Sequence, residues 1–351
     1  MSQAQDEFRS ESAKLPQLPK SSGGLFFSSQ FCKESRDLPP GTSLYGQTGI
    51  ITGASSGIGH ACAKMLLDLE ISHLIITALT QAEADFTVDV FRKRNPNAKI
   101  DGWVLDLTSY QSIHDFVARC ATQLSRIDFT ILNAGVAFGY FKLCEKTGHE
   151  MVFQVNFLST MFLSMLLLPV LKSKDPPGRP SRLVIVNSGT AMHAEFPQHK
   201  AERILPAFDV EEDFDPMGQY TNTEFLAHLF VDKLSRFVSA DDVVINLVDP
   251  GLTSGTNILE GASMSTQIGF NWLRAIAGRT LEDAASAYID AIVTRGKESH
   301  GSFIMDWSIY PYGKFYYNSK REEVQEKLWD EMLKEFDFAT IQDTIMSMKQ
   351  G

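Results

Sequence analysis

Gly49-Ile50-Ile51-Thr52-Gly53-Ala54-Ser55-Ser56-Gly57-Ile58-Gly59 is the stretch that decides how the rest of the chain is read. A β-branched run leads into a turn with three glycines, and His60-Ala61-Cys62-Ala63-Lys64-Met65-Leu66-Leu67 follows with helical spacing. A strand that passes through glycines into a helix leaves backbone N–H groups at the positive end of the helix dipole. No Cβ blocks close approach there, so the geometry suits a pyrophosphate. Glycines also make ordinary tight turns, and the loop carries weight only with its flanking strand and helix.

Working outward, the chain alternates. Strands are predicted at His73 to Thr77, Lys99 to Leu105 and Ile127 to Leu132, with helices at 81–94 and from about Tyr110 to Leu124 between them. The second half repeats the pattern. A long apolar helix at 147–172 precedes a strand from Arg182 to Asn187, and a helix at 220–238 precedes a strand from Val243 to Val248. A helix at 281–296 then precedes a strand from Ser302 to Met305. Strands separated by helices imply crossover connections. The expected fold is α/β, a single doubly wound parallel sheet of about seven strands with helices on both faces. Residues 1–45 read as a polar extension with one apolar patch at Leu25-Phe26-Phe27, residues 46–310 as the dinucleotide-binding catalytic domain, and 311–351 as an amphipathic helical tail. An insert at 193–217, with three prolines and a run of acids, has the composition of a surface loop or lid.

The bulk numbers narrow the function. A hydrophobic content of 44% and a charged content of 21% are ordinary for a globular protein. The net charge of −11 argues against nucleic-acid or anionic-membrane partners, which want a basic face. Cys32, Cys62, Cys120 and Cys144 lie far apart with no metal-ligand spacing and no leader before them, so reduced thiols in a cytoplasmic protein are expected. The apolar run Phe157 to Leu171 is interrupted by serines, a threonine and Pro169, and reads as a core helix with no membrane span.

These signals together resemble the short-chain dehydrogenase/reductase family over about residues 46–310. Thr52 to Gly59 resembles the family's cofactor turn, Asp106-Leu107 its adenine-contacting pair, and Asn133-Ala134-Gly135 its sheet-stabilising motif. Asn156 stands where the family places a helix asparagine, Ser188 ends a strand, Tyr220 opens the next helix, and Pro250-Gly251 follows the sixth strand. The N-terminal extension, Thr147-Gly148-His149-Glu150 and the tail are most similar to fungal members that act on secondary metabolites. The resemblance implies cofactor contacts from Gly53, Ser55, Ser56, Gly57, Ile58, Gly59, Asp106, Asn133, Tyr220, Glu224, Pro250, Gly251 and Thr253. It implies Tyr220, Ser188, Asn156 and Glu224 as the catalytic group. Asn156 would hold a water in a proton relay. A phenol can protonate a carbonyl oxygen and a serine hydroxyl can position it. The bland alternatives are an N-cap for Asp106, an amide satisfied in a helix kink for Asn156, and a brace between strand ends for Asn133.

Two departures from the family pattern stand out. Four residues after its tyrosine the family has lysine, and here Tyr220-Thr221-Asn222-Thr223-Glu224 puts a glutamate on that helix face. A nearby anion disfavours phenolate; two charges about 4 Å apart interact by roughly 4 kcal/mol at an effective dielectric of about 20. Alcohol oxidation, which needs phenolate, is therefore expected to be poor, and carbonyl reduction less compromised. After the second strand, Ala78-Leu79-Thr80 carries neither the arginine of many NADP-using members nor the aspartate of many NAD-using ones. The resemblance leans to NADP over NAD. The leading expectation is NAD(P)H-dependent reduction of a carbonyl in a hydrophobic small molecule. The alternatives are a non-redox dehydratase, isomerase or cyclase using Tyr220 and Glu224, and a catalytically silent binding protein. The helices at 153–172 and 220–238 resemble the family's dimer-forming pair, so a homodimer is a further expectation.

Overall fold

The computed structural model describes residues 8–19, 21–174, 178–255 and 264–349. Its sheet has the strand order β3-β2-β1-β4-β5-β6-β7-β8. The strands are β1 (Thr48–Ile51), β2 (His73–Ala78), β3 (Lys99–Val104), β4 (Phe129–Leu132), β5 (Ser181–Val186), β6 (Val243–Val248), β7 (Ser302–Met305) and β8 (Ser308–Tyr310). The first seven are parallel. The eighth exceeds the expected count: it folds back antiparallel on β7 through Asp306 and Trp307, both in left-handed backbone. Three residues are too few for a strand pattern to show in sequence.

The period of two along each strand sorts side chains to two cores. Ile50, Leu183, Ile185, Ile245 and Leu247 join one, and Ile51, Val184 and Val248 join the other. The first core is covered by α5 (Tyr110–Gln123), α6 (Thr160–Ser173) and α7 (Pro216–Leu234), and the second by α3 (Gly57–Asp68), α4 (Gln81–Arg94) and α9 (Leu281–Val293). The fold is thus the doubly wound α/β sheet. The helical stretch Phe153–Ser173 is apolar and long enough to cross a membrane, but 83% of its most apolar window is buried inside the molecule.

The flanking segments add elements the sequence pattern did not reveal. Before β1 lie α1 (Glu11–Lys14) and α2 (Ser22–Cys32), and α8 (Met264–Ala277) precedes α9. Ser10 and Ser12 of the extension are buried, and Ser12 Oγ accepts from Phe303 N of β7 at 2.8 Å. The tail is two helices, α10 (Arg321–Glu335) and α11 (Ile341–Ser347), broken where Thr340 turns left-handed. It packs on the outer side of α6 and α7: Phe336 stacks on Phe162 at 4.6 Å, and Trp329 lies 5.2 Å from Phe230.

The 193–217 insert is more firmly held than its composition suggests. Phe196, Ile204, Leu205 and Phe208 are buried, and Glu331 of α10 accepts from Ile204 N and Leu205 N at 2.8 and 2.9 Å. His149 ties the insert to the tail through Asp209 at 2.7 Å and Glu335 at 3.3 Å. Burial alone would lower the imidazole pKa, but hydrogen bonds to both carboxylates outweigh it and raise it to about 9. The sign follows directly. The folded state holds the His149 proton more tightly than the unfolded chain, so this stabilisation is complete below about pH 6.5 and is lost as pH rises through about 9. Replacing His149 by Gln is expected to cost about 1.5–3 kcal/mol at pH 6 and much less at pH 10, read as urea-unfolding midpoints across that range.

Candidate active site at the carboxyl ends of the strands

Helix α3 begins without a side-chain cap: the hydroxyl of Ser56, its N-cap residue, accepts no hydrogen bond from the first turn. Its orphan N–H groups are left to an outside acceptor. Gly53 and Gly57 have φ of 67° and 57°, a conformation that side chains resist. A Cβ on Gly59 would stand 2.3 Å from Gly53 O and 2.5 Å from Asn133 Nδ2. The turn is therefore a cradle that only these residues permit, and it fits a dinucleotide pyrophosphate. Asn133 braces it, donating from Nδ2 to Thr52 O at 3.0 Å and Gly53 O at 3.2 Å and accepting from Tyr288 at 3.2 Å.

Beside the cradle opens a cavity of about 440 Å³. Ile58, Asn133, Asn156, Ser188, Tyr220, Glu224, Pro250, Gly251 and Thr253 all line it, brought together from six separate stretches of sequence. Gly53, Ser55, Ser56, Gly57 and Gly59 belong to the turn at its edge. Asp106 stands apart: its carboxylate accepts from Thr108 N and Oγ1 at 2.9 and 2.6 Å and pairs with Lys146 at 2.6 Å. Those partners, working against partial burial, hold its pKa below the usual carboxylate range. After β2, Leu79 is exposed and Thr80 caps α4, accepting from Glu83 N, so neither supplies charge for a 2′-phosphate.

Asn156 sits in a π-helical segment, Phe153–Ser159, just before α6. The widened turn aims its amide at the chain after β4, where Oδ1 accepts from Val136 N and Nδ2 donates to Val136 O, both at 2.8 Å. The same Nδ2 reaches Glu224 Oε1 at 3.5 Å. The amide is thus engaged by the backbone and by Glu224.

Position 224 is surrounded by donors. Asn187 Nδ2 donates to Glu224 Oε2 and to its backbone O, each at 2.9 Å, and Ser188 N–H also faces the carboxyl group. Asn187 cannot turn over, because its Oδ1 accepts from His228 Nε2 at 2.9 Å. His228 is fixed in turn, its Nδ1 accepting from Gly313 N at 3.1 Å, and burial keeps the imidazole neutral with a pKa near 3. Asn156 is equally locked by Val136. The pocket at 224 is built for an acceptor. A lysine ammonium confined there would meet fixed N–H groups.

The charge on Glu224 differs from the sequence expectation. Burial, helped by the negative charge of Asp249, raises its pKa to about 8 despite the donors from Asn156 and Ser188. At neutral pH the site therefore holds a carboxylic acid, and the anionic effect on Tyr220 is deferred to alkaline pH. The Tyr220 phenol is itself pushed well above its ordinary range, by burial first and then by Glu224, with Ser188 pulling it back. Ser188 Oγ accepts from Thr190 N at 3.2 Å and Thr190 Oγ1 at 3.0 Å, which leaves its own proton to donate.

Sequence reasoning missed Asn187, His228, Asp249 and Tyr288. His228 was within reach: it continues the four-residue spacing of Tyr220 and Glu224 along α7. Asn187 and Asp249 gave no signal beyond adjacency to residues already chosen.

Known proteins share this fold. Residues 47–199 match the family model described as short chain dehydrogenase. The short chain dehydrogenase/reductase mfmJ of Annulohypoxylon moriforme is 43% identical, covering 92% of this chain and 94% of its own. The short chain dehydrogenase virL of Hypocrea virens is 36% identical over 90% of this chain and 92% of its own. Among solved structures, an NADPH-bound short chain oxidoreductase of Pseudomonas aeruginosa, described as containing an atypical catalytic center, superposes with a TM-score of 0.54. It is 19% identical, covering 75% of this chain and 95% of its own.

A raised carboxyl pKa has a definite consequence for stability. Between about pH 4.5 and 8 the folded state keeps a Glu224 proton that the unfolded chain has lost, so stability falls as pH rises through that window. Glu224→Gln removes the titration while keeping a carbonyl toward Asn187. Its stability relative to the unmodified protein is expected to improve by about 2–4 kcal/mol between pH 5 and pH 9, measured by denaturant unfolding at each pH.

Proposed function

The chain belongs to the short-chain dehydrogenase/reductase family, and we propose that it uses NADPH to reduce a carbonyl group in an apolar small molecule. The observation that carries this reading is a neutral Tyr220 beside Ser188 in a cavity that opens from the dinucleotide cradle. When bound, the nicotinamide supplies the hydride. The chain's own residues do the rest. Ser188 donates to the carbonyl oxygen and orients it, and Tyr220 delivers the proton that completes the alcohol. The tyrosinate left behind is a far stronger base than a carboxylate, so a proton passes downhill from the Glu224 acid one helical turn away. Asn187, Asn156 and Ser188 N–H then stabilise the carboxylate until it regains a proton from solvent.

The non-redox alternative would need Glu224 to take a proton from substrate as a free base. Its carboxyl is held by three donors and is mostly protonated at neutral pH, which weighs against that use. NADPH is preferred because solved relatives from Pseudomonas aeruginosa and Escherichia coli are described with NADPH. The fungal origin of mfmJ and virL and the apolar cavity wall favour a substrate from secondary metabolism. Cys32, Cys62, Cys120 and Cys144 are all free thiols, in keeping with a cytoplasmic setting.

Calorimetric titration is expected to show NADPH binding that Gly59→Ala abolishes, because the added Cβ collides with Gly53 and Asn133. Absence of NADPH binding to the unmodified protein would sink the reading. Tyr220→Phe is expected to lower kcat at least about 100-fold. The rate is expected to fall above a midpoint near pH 8, and that limb should vanish in Glu224→Gln.

The tail bears on assembly. Helices α6 and α7, expected as a dimer face, are covered by α10 and α11 of the same chain. We read the protein as a monomer, and light scattering on the purified protein is expected to give the mass of one chain.

A further inference from the structure

The cavity has a wall that the family's sheet and helices do not supply. Leu25, Phe26, Ser29 and Gln30 of α2 line it together with Tyr220 and Ser188. Helix α2 has eleven residues, two of them glycine near its start, and would not persist alone. Docking orders it. Leu25 and Ser29, four apart, are buried, while Phe27 and Phe31 face outward at 60% and 50% exposure.

The docking is polar and specific. Arg279, buried just before α9, donates from Nη2 to Ser29 O at 3.2 Å and to Asp306 Oδ1 at 2.5 Å, and from Nη1 to Pro250 O at 3.0 Å. Ser29 Oγ donates to the same Asp306 oxygen at 2.6 Å. The Gln30 amide, oriented to satisfy its neighbours, accepts from Leu252 N at 3.1 Å and donates to Leu252 O at 3.2 Å and Ala277 O at 2.9 Å. One guanidinium thus joins α2, the loop after β6 and the β7–β8 turn, with both charges buried and paired.

We propose that α2 is part of the substrate-binding site, and that Leu25 and Phe26 determine which apolar carbonyl compounds fit against Tyr220. The proposal rests on the reductase reading for the chemistry, but not for the binding. Half-buried Phe26 lines the same cavity as Tyr220, with Val136, Met217, Leu273 and Met305 also in its walls. A second, more polar cavity shares Ser22 and His193 with the first and is lined by Gln17, Leu18, Glu195 and Lys314. It gives the end of a substrate remote from its carbonyl a route outward. The ligand class is an elongated compound with an apolar, carbonyl-bearing end.

The test uses the full chain and three aryl ketones of increasing size: acetophenone, acetonaphthone and acetylanthracene. Equilibrium binding is followed by tryptophan fluorescence, and NADPH consumption is recorded separately. Phe26→Ala is expected to shift the affinity ratio toward acetylanthracene by about tenfold, and Phe26→Trp to shift it toward acetophenone by a similar factor. NADPH affinity should be unchanged in both. An unmoved ratio in both variants overturns the proposal. So does a loss of NADPH affinity that tracks the ratio, which would make α2 a cofactor or folding element, or failure of the unmodified protein to bind any of the ketones. Ketone binding with the expected shifts but no NADPH consumption would leave α2 assigned and reject the reductase reading alone.

Discussion

Two side-chain amides whose orientation is fixed from behind hold this active site together. Asn156 is pinned by both backbone groups of Val136, and Asn187 by His228 and, through it, Gly313. Each is left with N–H groups aimed at one point on α7. An acceptor there completes the network, and a buried polar network is costly unless it is complete. Glutamate satisfies the donors, yet burial and Asp249 make its charge expensive, so it settles as an acid near neutral pH. The family's cation at this position lowers a tyrosine pKa. Here a buried carboxyl with a raised pKa stands one turn from the tyrosine instead.

The same locking makes position 224 dependent on its neighbours. Because Glu224, Asn187 and His228 share hydrogen bonds, substitutions among them are not additive. Returning a lysine alone would strand both amides, and changing Asn187 and His228 with it would still leave Asn156 Nδ2 facing the cation. The π-helical turn at Phe153–Ser159 belongs to this arrangement, since it aims Asn156 away from the helix axis.

Much of this was legible in the residues. The glycine turn, the alternation of strands and helices, and Ser188, Tyr220 and Asn156 each carry a local pattern, and the structure gathers them around one cavity. Glu224 was visible as a departure, but its protonation was not, because burial and the proximity of Asp249 depend on tertiary packing. The helix α2 was unreadable for a similar reason. Its Gly23-Gly24 pair and serines argue for a loop, and partners far away in sequence, Arg279 and Asp306 among them, order it. Asp106 carried a motif, yet a distant lysine occupies its carboxylate. The eighth strand and the break in the tail are too short for periodicity to register.

The cavity wall formed by α2 joins segments far apart in the chain. Helix α2 is made well before its anchors Arg279 and Asp306. The tail that covers α6 and α7 comes later still. A growing chain can form its central strands early, but it carries an unplaced helix and uncovered apolar faces until β8 and the tail emerge. High sequence separation of this kind slows closure and prolongs exposure to aggregation. The cavity wall is therefore completed only after β8 has formed.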